Sequence, residues 1–233
     1  MNKVVNWFKE EYVNGYKPFD YIFMAVLLIA QIVVFIVDPG TSDTWINVLS
    51  IIAGITGTIS TVLCAKGKIT YLAYGFIQTA LFLIISCYSR LWIEAGESVF
   101  YLVSILISVF VWRKNLIKTE EQSVEVKAKK LSKKGLISTI TGLLVFAAIC
   151  YGLDKFVLHG AQAELDALSL ALTVFAQLLC TYCYKEQWIL WLLLDIIQVI
   201  MFALIGNYVL AVMYVGWTIN CIYGWHQWSK EGK

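Results

Sequence analysis

The sequence predicts an all-α, polytopic membrane protein with eight transmembrane helices, laid out as one extra helix followed by two three-helix units joined by a linker helix. Three observations lead there. The chain is 60% hydrophobic and only 15% charged over 233 residues, too apolar for a soluble domain of that length. Apolar runs near the ~20 residues needed to cross hydrocarbon occur at 21–37, 45–64, 69–88, 96–112, 136–153, 166–184, 188–205 and 207–226. Finally, the chain repeats itself. KGKITYLAYGFIQ, from Lys66 to Gln78, and KEQWILWLLLDIIQ, from Lys185 to Gln198, each place a cationic turn before an apolar helix with a Gln, one residue out of step. Tyr101 and Trp112 bracket an apolar run at the spacing of Tyr214 and Trp225.

The repeat organises the chain into segments 1–44, 45–112, 113–165, 166–228 and 229–233. Segment 1–44 holds an interfacial arm, with Val4, Trp7 and Phe8 among Lys and Glu, and then the extra helix 21–37. Val37-Asp38-Pro39-Gly40 lacks a small-residue cleavage pattern, so a cleaved signal peptide is not expected. Segment 45–112 is the first three-helix unit. Its first helix aligns Asn47, Ser50, Gly54, Gly57 and Thr61 along one face, which reads as close packing through small side chains. Its second presents Tyr71, Tyr74 and Gln78. Segment 113–165 is a basic loop, read as a solvated linker through residue 134, and then the linker helix. Because a single helix returns the chain to its starting face, the two units are expected in like orientation, with a substrate site between them near the bilayer midplane, the plan of many transporters.

Cationic side chains set the topology. With the N-terminus placed inside, 16 of the 18 Lys and Arg fall on cytoplasmic segments and only Arg90 and Lys155 fall outside. Both termini are therefore expected in the cytoplasm, with the chain in the cytoplasmic membrane. The net charge of +2 reflects this bias and not a nucleic-acid partner; membrane lipid is the expected surroundings.

Segment 166–228 is the second unit and carries the informative side chains. Thr173, Gln177, Cys180 and Tyr184 make a polar stripe in its first helix. Trp188, Trp191, Asp195 and Gln198 share one face of the next, and Tyr214, Trp217, Asn220 and Tyr223 share one face of the last. A carboxylate costs about 2.5–3.5 kcal/mol to place in a membrane helix, so such groups face a partner or a cavity. Aromatic faces beside amides suit a planar polar ring, giving stacking to its faces and hydrogen bonds to its edges. Trp225 and Trp228 read as interfacial anchors.

The stretch from Trp188 to Trp225, with Trp-x-x-Trp…Asp and Trp217-x-x-Asn220-x-x-Tyr223-x-Trp225, resembles the PnuC family of vitamin transporters, and the likeness extends over the last seven apolar runs. The resemblance implies a relative of the SWEET transporters with a 3 + 1 + 3 core, homotrimers, and import of nicotinamide riboside by facilitated diffusion, with a cytosolic kinase trapping the product. It implies Trp188, Trp191, Asn220 and Gln78 as the leading substrate contacts, and Gln198, Trp217, Tyr223 and Asp195 as weaker matches; the spacing argument adds Tyr71, Tyr74 and Gln177. Thiamine, riboflavin or a deoxynucleoside would suit the same fold, and proton-coupled uptake through Asp195 is the alternative mechanism.

Other chemistries find little support. No glycine-rich phosphate loop or Ser/His/Asp grouping occurs, so no enzymatic activity and no cofactor is expected. Cys180-x-x-Cys183 lies in an apolar run and both histidines, His159 and His226, fall at membrane edges, which argues against a metal site.

Overall fold

The computed structural model describes residues 2–37, 43–158, 163–204, 206 and 208–231. Asp38, Pro39, Gly40 and His159 thus lie outside the described residues, as do the ends of the 205–207 connection. The helices are α1 (Asn2–Tyr12), α2 (Pro18–Val37), α3 (Thr44–Ala65), α4 (Tyr71–Tyr88), α5 (Trp92–Lys114), α6 (Lys133–Leu153), α7 (Ala163–Thr181), α8 (Gln187–Leu204) and α9 (Tyr208–Glu231). The chain divides into two compact units, Met1–Lys127 and Ala128–Lys233.

Every predicted apolar run corresponds to a helix, but among the described residues only seven helices, α2 to α8, are long and apolar enough to cross a membrane. α9 has the length, at 24 residues, yet Tyr214, Trp217, Asn220, Tyr223, His226 and Gln227 dilute its apolar character. Few residues of α2 and α6 are covered by protein, with 11% and 6% of their most apolar windows buried. Ile22, Ile29 and Ile36 on α2, and Ile137, Ile140 and Leu144 on α6, face outward. Side chains of that kind, exposed all along a helix whose backbone bonds are internal, call for a hydrocarbon solvent.

In the first unit α3 packs on α2 and α4, and α4 on α5. The loop read as a solvated linker folds instead into a hairpin. β1 (Leu116–Lys118) and β2 (Val124–Val126) pair antiparallel, Leu116 opposite Val126 and Lys118 opposite Val124. Ser123 and Val126 are fully buried and Glu125 nearly so. The reason is charge pairing. Glu125 faces Lys68 across 3.6 Å.

That contact belongs to a knot around the α3–α4 turn. Gly67, at φ +67°, gives the left-handed residue that ends α3, and its carbonyl accepts from Val126 N at 2.8 Å. Lys66 Nζ lies 3.1 Å from Asp20 Oδ2 and donates to the Gly15 carbonyl at 2.7 Å. Lys68 donates to the Glu10 carbonyl at 3.0 Å and to Ser123 Oγ. Glu11 Oε1 accepts from Thr70 N at 3.0 Å and from Thr70 Oγ1 at 2.7 Å. The Tyr16 ring lies against both ammonium groups, 5.0 and 5.5 Å from its centroid. Burial holds Lys68 below the ordinary lysine range, opposed by Glu125 and Glu11, and burial pushes the Tyr16 hydroxyl up.

The second unit packs α7 between α6 and α8, and α8 against α9. Its core centres on Leu143, Ala171 and Leu172, with Phe146, Phe175, Leu190 and Leu194 around them. The α7–α8 turn repeats the α3–α4 turn bond for bond. Gly67 N donates to Cys64 O and Lys68 N to Leu63 O; 116 positions on, Cys183 N donates to Cys180 O and Tyr184 N to Leu179 O. Cys183 takes φ +66° and its carbonyl accepts from Lys129 N at 2.8 Å. The same offset pairs the fully buried Trp112 with the fully buried Trp228. The repeat read from charge and Gln positions is therefore out of register with the backbone. The cation sits first in one turn, at Lys66, and fourth in the other, at Lys185.

Because Lys66 and Asp20 are both withdrawn from water, removing either charge strands the other. Lys66→Met and Asp20→Asn are each expected to cost about 3–5 kcal/mol. Thermal unfolding in detergent should show both single variants melting well below the parent, with the Lys66→Met/Asp20→Asn pair recovering part of the loss.

Candidate functional site

In the first unit the sequence-derived residues do not share one environment. Tyr71 is buried with its ring 4.3 Å from that of Trp112, and its carbonyl accepts from Ser60 Oγ at 2.9 Å. Tyr74 is half-buried and hydrogen-bonded to Tyr12 of α1; burial and this bond together push the Tyr12 hydroxyl up to about 12. It is thereby drawn towards the N-terminal arm. Gln78 is half-buried and lies flat over Gly57, where a Cβ would stand 2.5 Å from its Nε2. Gln31 of α2 lies over Gly54 in the same way, at 2.6 Å. The small residues of α3 therefore make room for two carboxamides, where the sequence suggested close packing of helix on helix. Gln31 escaped the sequence reading, although an amide inside an apolar run carried the signal used elsewhere.

The second unit gathers more. On α7, Gln177 is buried together with Thr173, Cys180 and Thr181. On α8, Trp188 and Asp195 are buried and Trp191 and Gln198 half-buried. Trp188 reaches α9, where it packs edge-on to Trp228 at 6.0 Å. Its indole also fills the space above Gly224, where a Cβ would meet ring atoms at 2.6 and 2.7 Å. Only a residue without a side chain allows that approach. Asp195 is tied to the same helix by Cys221, whose Sγ donates to Oδ2 at 3.2 Å.

Along α9, Tyr214 stacks on Phe202 at 5.4 Å and meets Trp217 edge-on at 5.0 Å. Asn220 is fully buried, and the half-buried Tyr223 accepts from Gln227 Nε2 at 2.7 Å. A cavity of about 320 Å³ opens between α8 and α9, lined by Trp188, Ile189, Leu192, Cys221, Ile222 and Trp225. Trp225, read as an anchor, is half-buried and carries Lys185 Nζ over its ring at 4.9 Å. Trp228, read likewise, is fully buried against Trp188.

Gln187, which opens α8, carries no distinguishing signal in the sequence beside Trp188. It is fully buried, and neither its Nε2 nor its Oε1 has a hydrogen-bond partner among the described residues.

Burial pushes the Cys183 thiol up to about 12. Among the described residues no group of three His, Cys, Asp or Glu side chains could hold a metal ion. What the second unit offers is recognition: flat aromatic faces, buried amides and one carboxylate, next to a cavity.

Comparison with known proteins gives the same direction. The family described as nicotinamide mononucleotide transporter matches residues 47–230. The nicotinamide riboside transporter PnuC of Haemophilus influenzae is 32% identical over 227 residues, covering 95% of this chain and 94% of its own. The protein of that name from Neisseria mucosa is 29% identical, covering 96% of this chain and 86% of its own, and that of Escherichia coli 25%, covering 83% and 89%. A crystal structure of the vitamin B3 transporter PnuC superposes with a TM-score of 0.79 at 27% identity, covering 97% of both chains. A chain of apolar helices with an aromatic, amide-bearing second unit, matched along nearly its whole length, belongs to the PnuC family of membrane transporters, a family of carriers and not of enzymes.

Proposed function

We propose that this protein carries nicotinamide riboside across the cytoplasmic membrane by facilitated diffusion. The names of its relatives and of its family differ by one phosphate, and the observation that supports the riboside is where the buried cations sit. Recognition of a phosphate calls for Arg or Lys at depth. Lys66 and Lys68 are the buried lysines among the described residues, and both are held in the α3–α4 turn by carboxylates and carbonyls. Neither belongs to α8 or α9, the helices that carry Trp188, Trp191, Gln198, Trp217, Asn220 and Tyr223. These side chains suit an unphosphorylated riboside, whose pyridinium stacks on indole and whose carboxamide and hydroxyls bond to amides.

The same feature supports metabolic trapping. A cytosolic kinase that phosphorylates the riboside adds a negative charge for which α8 and α9 supply no buried lysine or arginine among the described residues, so the product stays inside and transport itself needs no energy source. In the architecture we favour, α9 is the eighth span, α2 stands outside the core, and α3–α5 and α7–α9 are like-oriented repeats joined by α6, as in SWEET transporters. The bond-for-bond match of the two turns supports the repeat; cytoplasmic termini follow from the placement of the lysines and arginines, and a trimer from the family resemblance.

Purified protein in liposomes should take up labelled nicotinamide riboside without ATP until inside and outside concentrations are equal. Dissipating a pH gradient should leave that uptake unchanged; accumulation that collapses with the gradient would instead establish proton coupling. Absence of uptake would sink the transport reading.

Trp191→Ala and Asn220→Ala are each expected to weaken riboside binding by about tenfold, measured by calorimetric titration of protein that remains monodisperse. Gly224→Ala should displace the Trp188 indole at a cost of about 1–3 kcal/mol. Titration should show its riboside affinity reduced while the melting profile stays cooperative.

A further inference from the structure

Asp195 sits where a carboxylate is hard to keep. It is only 6% exposed in the middle of α8, and the hydrogen bond it accepts comes from a thiol, a weak donor. The ion pairs among the described residues lie elsewhere, at Lys66–Asp20, Lys68–Glu125, Lys118–Glu10 and Lys155–Glu164. The lysines flanking α8 and α9 are also occupied or remote. Lys185 lies over the Trp225 ring and donates to Ser229 Oγ at 3.4 Å, and Lys230 stands exposed at the end of α9. A buried carboxylate without a cation is costly, and a positively charged ligand offsets that cost.

The geometry supplies a route for such a ligand. Cys221 has two neighbours: it donates to Asp195, and it lines the cavity that Trp188 and Trp225 also line. The Trp188 indole, a ring type that attracts cations, thus shares a wall with the thiol that donates to the carboxylate, while the Trp225 ring already carries Lys185. We infer that Asp195 is the counter-ion for a positively charged ring, and that it makes the transporter select cationic pyridinium ribosides over neutral nucleosides of the same shape. Stacking and amide bonding act on both kinds of ring, whereas the charge of Asp195 acts only on the cation. The inference rests on the nicotinamide riboside reading and adds to it the basis of discrimination.

The test compares two probes that differ in ring charge. Nicotinamide riboside is cationic; its 1,4-dihydro form keeps the ribose and carboxamide but has a neutral ring. Wild-type protein in detergent should bind the cation more tightly. Asp195→Asn keeps the shape and an acceptor for Cys221, and should lose about tenfold or more in affinity for the cation while changing less than about threefold for the neutral form. Asp195→Glu should retain the preference for the cation. Equal losses for both probes in Asp195→Asn would show a packing role and overturn the inference, as would undiminished cation binding. Wild-type protein that binds both probes equally removes the counter-ion role but leaves riboside transport standing. Wild-type protein that binds neither removes both.

Discussion

Two ammonium groups withdrawn from water at the α3–α4 turn hold the first unit together. Lys66 and Lys68 each draw in segments distant in sequence: the arm through Glu10, Gly15 and Asp20, the hairpin through Ser123 and Glu125. A buried ammonium tolerates no loose arrangement, because each carboxylate or carbonyl that leaves exposes an unpaid desolvation cost. The amphipathic α1, which has little core of its own, and a hairpin of two three-residue strands are ordered by this demand and not by their own propensities. The second unit meets the same backbone geometry without a fully buried ammonium group among the described residues. Cys183 adopts the left-handed conformation that glycine adopts more easily in the first, and Glu186 receives Leu131 N at 3.2 Å from each carboxylate oxygen.

Flat groups seated on glycines are the second theme. Gln78 covers Gly57, Gln31 covers Gly54 and Trp188 covers Gly224. In each case a helix gives up a side chain so that an amide or an indole can lie against its backbone. Membrane helices with small residues are commonly read as preparing for another backbone. Here the space belongs to polar and aromatic groups.

How much of this is legible in the sequence depends on the distance over which a signal acts. Apolar runs are local, and each became a helix. The stop of α7 at Thr181 was missed because Cys183, unlike Gly67, does not advertise a left-handed turn. The lysines of the turn were legible as topology markers, but their burial was not, since Asp20 lies 46 positions from Lys66 and Glu11 lies 59 from Thr70. The register of the repeat slipped because side-chain charge moved within the turn while the backbone bonds stayed. Among the candidate residues, faces could be read from spacing; partners could not. Nothing local marks Cys221 as the donor to Asp195, or Tyr12 as the partner of Tyr74.

The seat of Trp188 on Gly224 has a thermodynamic corollary. With no clearance beneath the ring, its position and the distance between α8 and α9 are a single variable. Were a guest to shift the indole, it would alter how those two rods cross, and a change in their crossing would move the indole. By linkage the two events would then share one free energy, with no separate hinge or relay needed.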